Sequence, residues 1–433
     1  MQMIWLKLRR KDDRLRRLLS KCRLSKFICF TILSLILTGV RIQAFETIDN
    51  KGPQEIIEFH NKNLRDLHNQ NELDRTAIKQ QVLRSLIALF DFNRLSAQFL
   101  QNNWAKMSSF EKEQFVEALK TSFVHEIYSR NTKYSSEGLS SFTLKNQITK
   151  EKSAKLEYSF GGNKGKIKLT ISMLKYRDAS WKITNVKAGK RDLRQRYYSF
   201  CKKLLDDYSL AYLIAELKDS DYVVLEDFEG NSIGQLPKDW TWRDKDRNKH
   251  KPYKIKEENG NKYLAAEDTG ESVILVKETR WDIKKYPYIS FRWRAKELPE
   301  GGDERFGPTN DSGAAIYITY NKTLLRIPKS VKFVWSTTLP VGSATKRSGI
   351  GRPWNVVVES GPENLGEWRT YVLNAYEAYQ KTFGGNPPDR PLGIGILSDA
   401  NSSHSKAYAD YDDIRALRHA DADSGIKNIL KGE

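Results

Sequence analysis

Cysteine is scarce in this sequence, with three residues in 433, at Cys22, Cys29 and Cys201. The first two lie in an N-terminal segment that we expect to be removed, which would leave Cys201 alone and exclude an internal disulfide. Extracellular eukaryotic proteins of this size usually carry several disulfides. The shortage therefore favours a bacterial periplasm, or a core large enough to need no cross-link, with Cys201 as a small buried residue.

Long apolar runs are also rare. The run from Phe27 to Val40 would span roughly 21 Å as a helix, which is short of the roughly 30 Å hydrocarbon layer of a membrane. Ten Lys/Arg precede it and a small residue, Ala44, follows it, as in a secretory signal. We predict that residues 1–44 are a cleaved signal peptide and that the protein is periplasmic. An uncleaved inner-membrane tether is the alternative, because the basic segment is longer than usual.

The charge excess is smaller than the whole sequence suggests. The net charge is +19, but the predicted signal peptide removes eleven Lys/Arg and two acids, leaving 62 Lys/Arg against 52 acids, near +10. An exported chain meets little nucleic acid, and the sequence has no nucleic-acid motif studded with aromatic residues. An anionic glycan or a phospholipid head group is a better partner for a moderately basic surface.

Motifs for catalysis and metal binding are missing as well. The sequence contains no Gly-x-Ser-x-Gly, and its six histidines show no metal-ligand spacing. Glycoside hydrolysis needs two carboxylates across a cleft, and none of the available acids follows a strand pattern typical of such enzymes. We therefore predict a protein that is not an enzyme. A hydrolase that uses Asp311 and Asp399 is a third hypothesis.

The first half of the mature chain has helical periodicity followed by strand periodicity. Ser108 and Glu111 have the spacing of a capping box, and apolar residues then recur every four positions. Alternation with a period of two begins near Ser140 and ends near Ala188, and a last helix is predicted from Arg191 to Leu217. These patterns predict an α+β domain over residues 52–218, with helices on a curved antiparallel sheet. Its apolar residues either fill a core or enclose a pocket.

This half resembles the MlaC family of periplasmic phospholipid shuttles, also called toluene-tolerance proteins. The resemblance rests on the order and spacing of Asp91-Phe92, Trp104, the helix of Phe115 and Phe123, Trp181-Lys182-Ile183 and Gly189. It implies a deep apolar pocket for acyl chains, phospholipid as the ligand and membrane-bound Mla-like transport components as partners. The residues that it implies for lipid binding are Phe92, Leu95, Phe99, Phe115, Leu119, Phe123, Ile127, Leu169, Ile171 and Tyr197.

The second half reads as short strands separated by turns rich in Gly and Pro. From residue 221 to 418 this pattern predicts an all-β sandwich, jelly-roll-like, followed by a tail at 419–433. First and last strands often run side by side in carbohydrate-binding sandwiches. Glu226, Glu229 and Asp412 could then share a structural calcium ion, the one cofactor considered; solvated acids at strand ends are the alternative.

This half resembles a bacterial domain family of unknown function that looks like a carbohydrate-binding jelly roll. Among the features that carry the resemblance are Asn310-Asp311-Ser312, Phe333-Val334-Trp335-Ser336 and Ser398-Asp399-Ala400-Asn401. Tryptophans offer flat faces to sugars or lipids. Trp242 and Trp354, which stand in polar, turn-rich surroundings, are together with Arg352 the candidates for contact with an anionic glycan or a head group.

Two functions from different classes follow. The first is a non-enzymatic phospholipid carrier that shuttles lipid between membranes in an Mla-like pathway. The second is an envelope glycan-binding protein whose β-sandwich is the main binding module. The two differ in what a purified protein would carry: co-extracted phospholipid in the first case, and affinity for glycans without lipid in the second.

Overall fold

The fold comes from a computed structural model, which describes residues 51–68, 75–131, 141–162 and 165–421. The predicted signal peptide and nearly all of the predicted tail lie outside these ranges. The chain divides into two compact units, one ending at Leu204 and the other beginning at Leu205. Within the described ranges, no helix combines the length and the apolar character needed to cross a bilayer.

The helices of the first unit begin where side chains can satisfy free backbone N–H groups. Asp91 accepts a hydrogen bond from the Arg94 N–H at 2.9 Å, and Ser108 and Glu111 form the predicted capping box. The helices before the sheet are α1 (Pro53–His68), α2 (Arg75–Leu89), α3 (Phe92–Leu100), α4 (Asn102–Lys106) and α5 (Ser109–Asn131).

An antiparallel sheet of five strands follows, in the order β1-β2-β3-β4-β5. Leu156 pairs with Ile171, and Ile171 pairs with Val186, so these buried residues lie on one face of the sheet. The strands are β1 (Ser141–Lys150), β2 (Ser153–Gly162), β3 (Gly165–Lys175), β4 (Trp181–Ala188) and β5 (Arg191–Asp192). The helices and this sheet confirm the predicted α+β class.

The long helix predicted from Arg191 to Leu217 is two helices. Helix α6 (Leu193–Asp207) ends before Ser209, and α7 (Leu210–Lys218) begins after it. The Ser209 hydroxyl accepts a hydrogen bond from the Tyr212 N–H at 3.3 Å, so this residue starts a new helix instead of continuing the old one. Helix α7 lies within the second unit.

The second unit contains two sheets, as predicted for a sandwich. A seven-stranded sheet has the order β14-β15-β13-β12-β17-β10-β7, and a six-stranded sheet contains β16-β11-β18-β9-β8 with β6 paired to β18. The strands are β6 (Tyr222–Glu226), β7 (Thr241–Trp242), β8 (Tyr253–Glu258), β9 (Asn261–Asp268), β10 (Leu275–Glu278), β11 (Tyr288–Glu297), β12 (Ala314–Lys322), β13 (Pro328–Ser336), β14 (Ala344–Thr345), β15 (Trp354–Ser360), β16 (Arg369–Asn374), β17 (Gly393–Ile396) and β18 (Ala407–Leu417).

The core of this unit lies between the two sheets. Phe291 and Trp293 of β11 pack against Phe333 and Trp335 of β13, with ring centroids 6.4 Å and 6.2 Å apart. The first strand, β6, pairs with the last, β18, which confirms that they run side by side. A helix that the sequence analysis missed, α8 (Ala375–Phe383), follows β16.

Candidate functional site

The residues that the MlaC resemblance implies for lipid binding lie together in the first unit. Nine of them have described side chains, and all nine are buried: Phe92, Leu95, Phe99, Phe115, Leu119, Phe123, Leu169, Ile171 and Tyr197. The tenth, Ile127, lies in α5, but its side chain is outside the described part of the structure. The nine residues are therefore buried, and their role in lipid binding stays a prediction.

Aromatic rings from three helices contact each other in this region. Phe99 of α3 stacks on Tyr197 of α6 with ring centroids 4.7 Å apart, and Phe123 of α5 lies 5.6 Å from the same tyrosine. Phe92 meets Phe123 edge to face at 5.3 Å. Offset and edge-to-face pairs of this kind add stability beyond the area that they bury. In this conformation the side chains fill the space between helices and sheet themselves.

A cleft of about 560 Å³ lies beside this core, between α3, the start of α6 and the sheet. None of the ten predicted residues lines it. Its lining comes from both helices and four strands: Arg94, Gln98, Ile148, Lys150, Ser153, Ala154, Lys155, Ser172, Met173, Leu174, Thr184, Asn185 and Arg194. The lining thus contains four cationic side chains and no acidic one.

The two arginines of the cleft are available to a ligand. Arg94 and Arg194 are both exposed, and within the described ranges neither guanidinium takes part in an ion pair. Lys155 does have a partner, Glu157 at 2.9 Å. Lys155 and Lys168, which donate hydrogen bonds to the Glu157 carboxylate, lower its pKa to about 2, so this acid is ionised at neutral pH. A cleft with unpaired guanidinium groups and no lining acid attracts an anion.

Part of the cleft lining lies on the face of the sheet that carries the apolar core. Ala154 pairs with Met173 in the ladder that also pairs Leu156 with Ile171, so all four lie on the covered face. Ala154 and Met173 also line the cleft. On α3, Arg94 and Gln98 line the cleft, while their neighbours Leu95 and Phe99 belong to the core. The cationic cleft therefore adjoins the apolar region directly.

Sequence reasoning missed the four cations of the cleft. Each is an exposed Lys or Arg, a type that covers most protein surfaces, and the four come from separate elements between residues 94 and 194. The one local signal is that Arg94, Lys155 and Arg194 each stand next to a buried apolar residue. That signal is common at the edge of any core, so it could not have identified the cleft.

In the second unit, the predicted contact residues lie at the two ends of the seven-stranded sheet. Trp242 pairs with buried Leu275, and Trp354 pairs with buried Val331, so the register directs both tryptophans to the sheet face that carries the core. The Lys251 ammonium lies 4.6 Å from the centre of the Trp242 ring. Arg352 is exposed in the segment that precedes β15. Their role in binding stays a prediction.

The three acids considered for calcium accept hydrogen bonds from nitrogen donors. Glu226 accepts from the Trp240 indole at 2.7 Å, and Asp412 from the Asn261 amide at 2.9 Å. Glu229 accepts from the Lys262 backbone N–H at 3.0 Å. In the part of the chain that the structure describes, no group of three or more His, Cys, Asp or Glu is arranged to hold a metal ion. The geometry gives a calcium site no support.

Two family models each match a part of the chain. The model of the MlaC protein family matches residues 56–219, and the model of a protein of unknown function, DUF3047, matches residues 239–415. Both matches confirm the resemblances of the two halves. A search of curated proteins found no match.

Two solved structures are similar to separate parts of the chain. A phospholipid-binding protein from Ralstonia solanacearum, solved with a phospholipid, is 13% identical with a TM-score of 0.29 and aligns 35% of this chain with 83% of its own. A carbohydrate-binding module that recognises mannan, TmCBM27, is 14% identical with a TM-score of 0.19 and aligns 45% of this chain with 96% of its own.

Proposed function

We propose that this chain, which joins an MlaC-type segment to a DUF3047 segment, binds a phospholipid through its first unit and carries it between membranes of a bacterial envelope. The family match supports lipid binding and favours a carrier over an enzyme. The observation that carries the proposal at the level of residues is the cationic cleft beside the apolar core.

The phosphate of the lipid would lie in the cleft, between Arg94 of α3 and Arg194 of α6. Guanidinium groups bind phosphate through paired, charge-assisted hydrogen bonds, and such bonds are stronger than those between neutral groups. Lys150 and Lys155 add positive charge on the opposite wall, which is formed by β1 and β2. No acid lines the cleft, and the charge of nearby Glu157 is balanced by Lys155 and Lys168.

The acyl chains would pass from the cleft along the covered face of the sheet, past Met173 towards Ile171. The buried rings of Phe99, Phe123 and Tyr197 occupy this space, so entry requires α3 and α5 to move away from the sheet. Burial of ten methylene groups contributes about 8 kcal/mol, at roughly 0.8 kcal/mol each. That gain offsets part of the cost of parting the helices and holds the lipid without a covalent bond.

Transfer by such a carrier needs no reacting residue. A docking partner that opens the apolar region would release the lipid, and we propose membrane-bound Mla-like transport components for this role. The periplasm is the compartment in which a soluble lipid carrier is needed, because lipids do not cross the aqueous gap between two membranes unaided.

The test is to purify the full-length chain, extract it with organic solvent and measure bound phospholipid by mass spectrometry. A double variant, Arg94→Gln with Arg194→Gln, removes both unpaired guanidinium groups. We expect the amount of phospholipid that co-purifies with this variant to fall at least about tenfold, because each lost charge-assisted hydrogen bond costs roughly 1.5–3 kcal/mol. A matched control, Arg84→Gln with Arg177→Gln, removes two exposed arginines outside the cleft and should retain the lipid.

The outcomes separate two parts of the proposal. If the unsubstituted protein carries no phospholipid at any stoichiometry, lipid carriage is wrong. If the double variant and the control retain equal amounts, the phosphate does not lie between Arg94 and Arg194. Circular dichroism of each variant shows whether the first unit has kept its fold.

A further inference from the structure

The outer face of the seven-stranded sheet in the second unit carries a row of residues in register. The inner face bears Phe333 and Trp335, which pack towards the other sheet. Side chains of a strand alternate between its two faces, so Lys332 and Val334 belong to the outer face. Strand pairing aligns one residue from each of the seven strands on this face: Thr345, Asn355, Lys332, Tyr317, Gly395, Val276 and Thr241.

Buried oxygen atoms without hydrogen-bond partners lie in and beside this row. Among the described residues, the Asn355 Oδ1, the Thr345 Oγ1 and the Asp399 Oδ1 accept no hydrogen bond. Asn355 and Asp399 are each 3% exposed. A buried polar atom left unpaired costs roughly 1–3 kcal/mol, so each of these oxygens would gain from a hydrogen-bond donor.

Two cationic groups, Lys332 and Arg347, lie near Asp399 and Tyr317. The Lys332 ammonium, on a side chain that is 2% exposed, donates a hydrogen bond to the Ser312 hydroxyl at 2.9 Å and lies 5.8 Å from the centre of the Tyr317 ring. Burial raises the pKa of Asp399, and the charge of Lys332 acts in the opposite direction. Burial lowers the pKa of Arg347, and the charge of Asp399 acts in the opposite direction.

The cluster draws on three stretches that stand far apart in sequence. Ser312 and Asp399 form a two-way backbone bridge, with N···O distances of 3.2 Å and 3.1 Å. Ser312 and Ser336 each donate to the buried Glu304 carboxylate, at 2.8 Å and 2.7 Å. These serines and Asp399 belong to the three motifs that marked the second half as a family. The family-specific residues therefore meet at the outer face of this sheet.

We propose that this cluster binds a neutral saccharide, with its hydroxyl groups donating to Asp399 and Asn355 and accepting from Lys332 and Arg347. The orphaned oxygens of Asp399 and Asn355 need hydrogen-bond donors. Sugar hydroxyls both donate and accept, whereas an ionised phosphate only accepts and is repelled by the Asp399 carboxylate. The half-buried Tyr317 ring offers a flat apolar contact to a pyranose face.

The segment from Lys346 to Pro353 provides the route of entry. Arg347 lies in this segment, whose Gly349 and Gly351 have φ of 112° and 75° and whose Ile350 is 84% exposed. Among the described residues, no backbone hydrogen bond ties this segment to the rest of the sheet. Segments with few buried contacts open at low cost, so a sugar would reach the buried oxygens by displacing this one.

The experiment applies the full-length protein to an array of neutral and acidic oligosaccharides and then titrates the strongest neutral binder by calorimetry. We expect Asn355→Ala and Arg347→Ala each to weaken binding at least about tenfold, and Asp399→Asn to weaken it further through loss of the charge. Lys381→Ala changes an exposed cation on α8 and is the matched control, with binding unchanged. If Asp399→Asn fails to fold, the other two variants decide.

Three results would overturn the proposal: no neutral oligosaccharide binds, all three variants bind as the unsubstituted protein does, or inorganic phosphate displaces the sugar. The result does not depend on lipid carriage by the first unit. Arg94→Gln with Arg194→Gln should leave sugar binding intact, and Asn355→Ala should leave co-purified phospholipid intact. Failure of one site is therefore distinguishable from failure of the other.

Discussion

His60 makes the first unit sensitive to acid. The side chain lies on α1 with 2% of its surface exposed, and within the described ranges neither ring nitrogen has a hydrogen-bond partner. Burial, reinforced by the positive charge of Lys182, lowers the pKa of His60 from 6.5 to about 4. The folded state thus keeps the imidazole neutral at pH values where the unfolded chain binds a proton.

The sign and size of the effect follow by linkage. Between pH 6.5 and pH 4 the unfolded state binds more protons at this position, so the free energy of unfolding falls as the pH falls. The full contribution is present above pH 6.5. From pH 7 to pH 5 the loss that His60 causes is about 2 kcal/mol, which corresponds to roughly a 30-fold change in the unfolding equilibrium.

The substitution His60→Phe removes the titrating group and its two unpaired nitrogens while keeping an aromatic ring. We expect it to remove this 2 kcal/mol from the pH dependence and to stabilise the first unit at neutral pH, because the orphaned nitrogens are gone. Hydrogen exchange with mass spectrometry, corrected for the intrinsic effect of pH, measures the stability of this unit within the full chain. His125→Gln, at an exposed position on α5, is the control.

The reasoning is refuted if His60→Phe and the unsubstituted protein lose the same protection between pH 7 and pH 5. The outcome would mean that the imidazole is not buried away from water as the structure places it, or that it has a partner in solution.

Two further predictions concern the same unit. Phe123→Ala should cost about 3–5 kcal/mol, because it removes a ring that contacts Phe90, Phe92 and Tyr197; chemical denaturation measures the loss, and a cost below 1 kcal/mol would mean that the region is not packed. Asp91→Ala should cost about 1 kcal/mol through the lost cap of α3, with the increase in hydrogen exchange confined to the first turn of that helix.

Local rules predicted most of the fold. The capping box of Ser108 and Glu111 needs only residues three apart, and the strands of both units follow from alternation over fewer than twelve residues. Strand β8 is harder to predict, because it lies in a stretch rich in Lys and Arg that is typical of a solvated loop. Yet Tyr253 and Ile255 are buried and alternate with Lys254 and Lys256. The alternation of apolar and polar residues that is typical of a strand is therefore present in this basic stretch.

The candidate sites depended on register and could not be predicted in the same way. Asn355, Lys332 and Tyr317 form a row because three strands pair in a particular register. The local sequence of each strand does not determine that register. A buried lysine such as Lys332 also contradicts the expectation that lysine is solvated. In contrast, the burial of Phe115, Leu119 and Phe123 could be predicted, since helical periodicity alone places these three on one face.

Helix α7 determines where the protein can be divided into fragments. The MlaC family match extends to residue 219, yet Tyr212 of this helix is fully buried against Tyr286, with ring centroids 6.0 Å apart, and Glu216 forms an ion pair with Lys285. A β-sandwich fragment that begins at residue 221 would lose these partners and expose the apolar surface beneath them. A fragment that begins near Leu205 would keep the helix, so family boundaries are a poor guide to expression boundaries here.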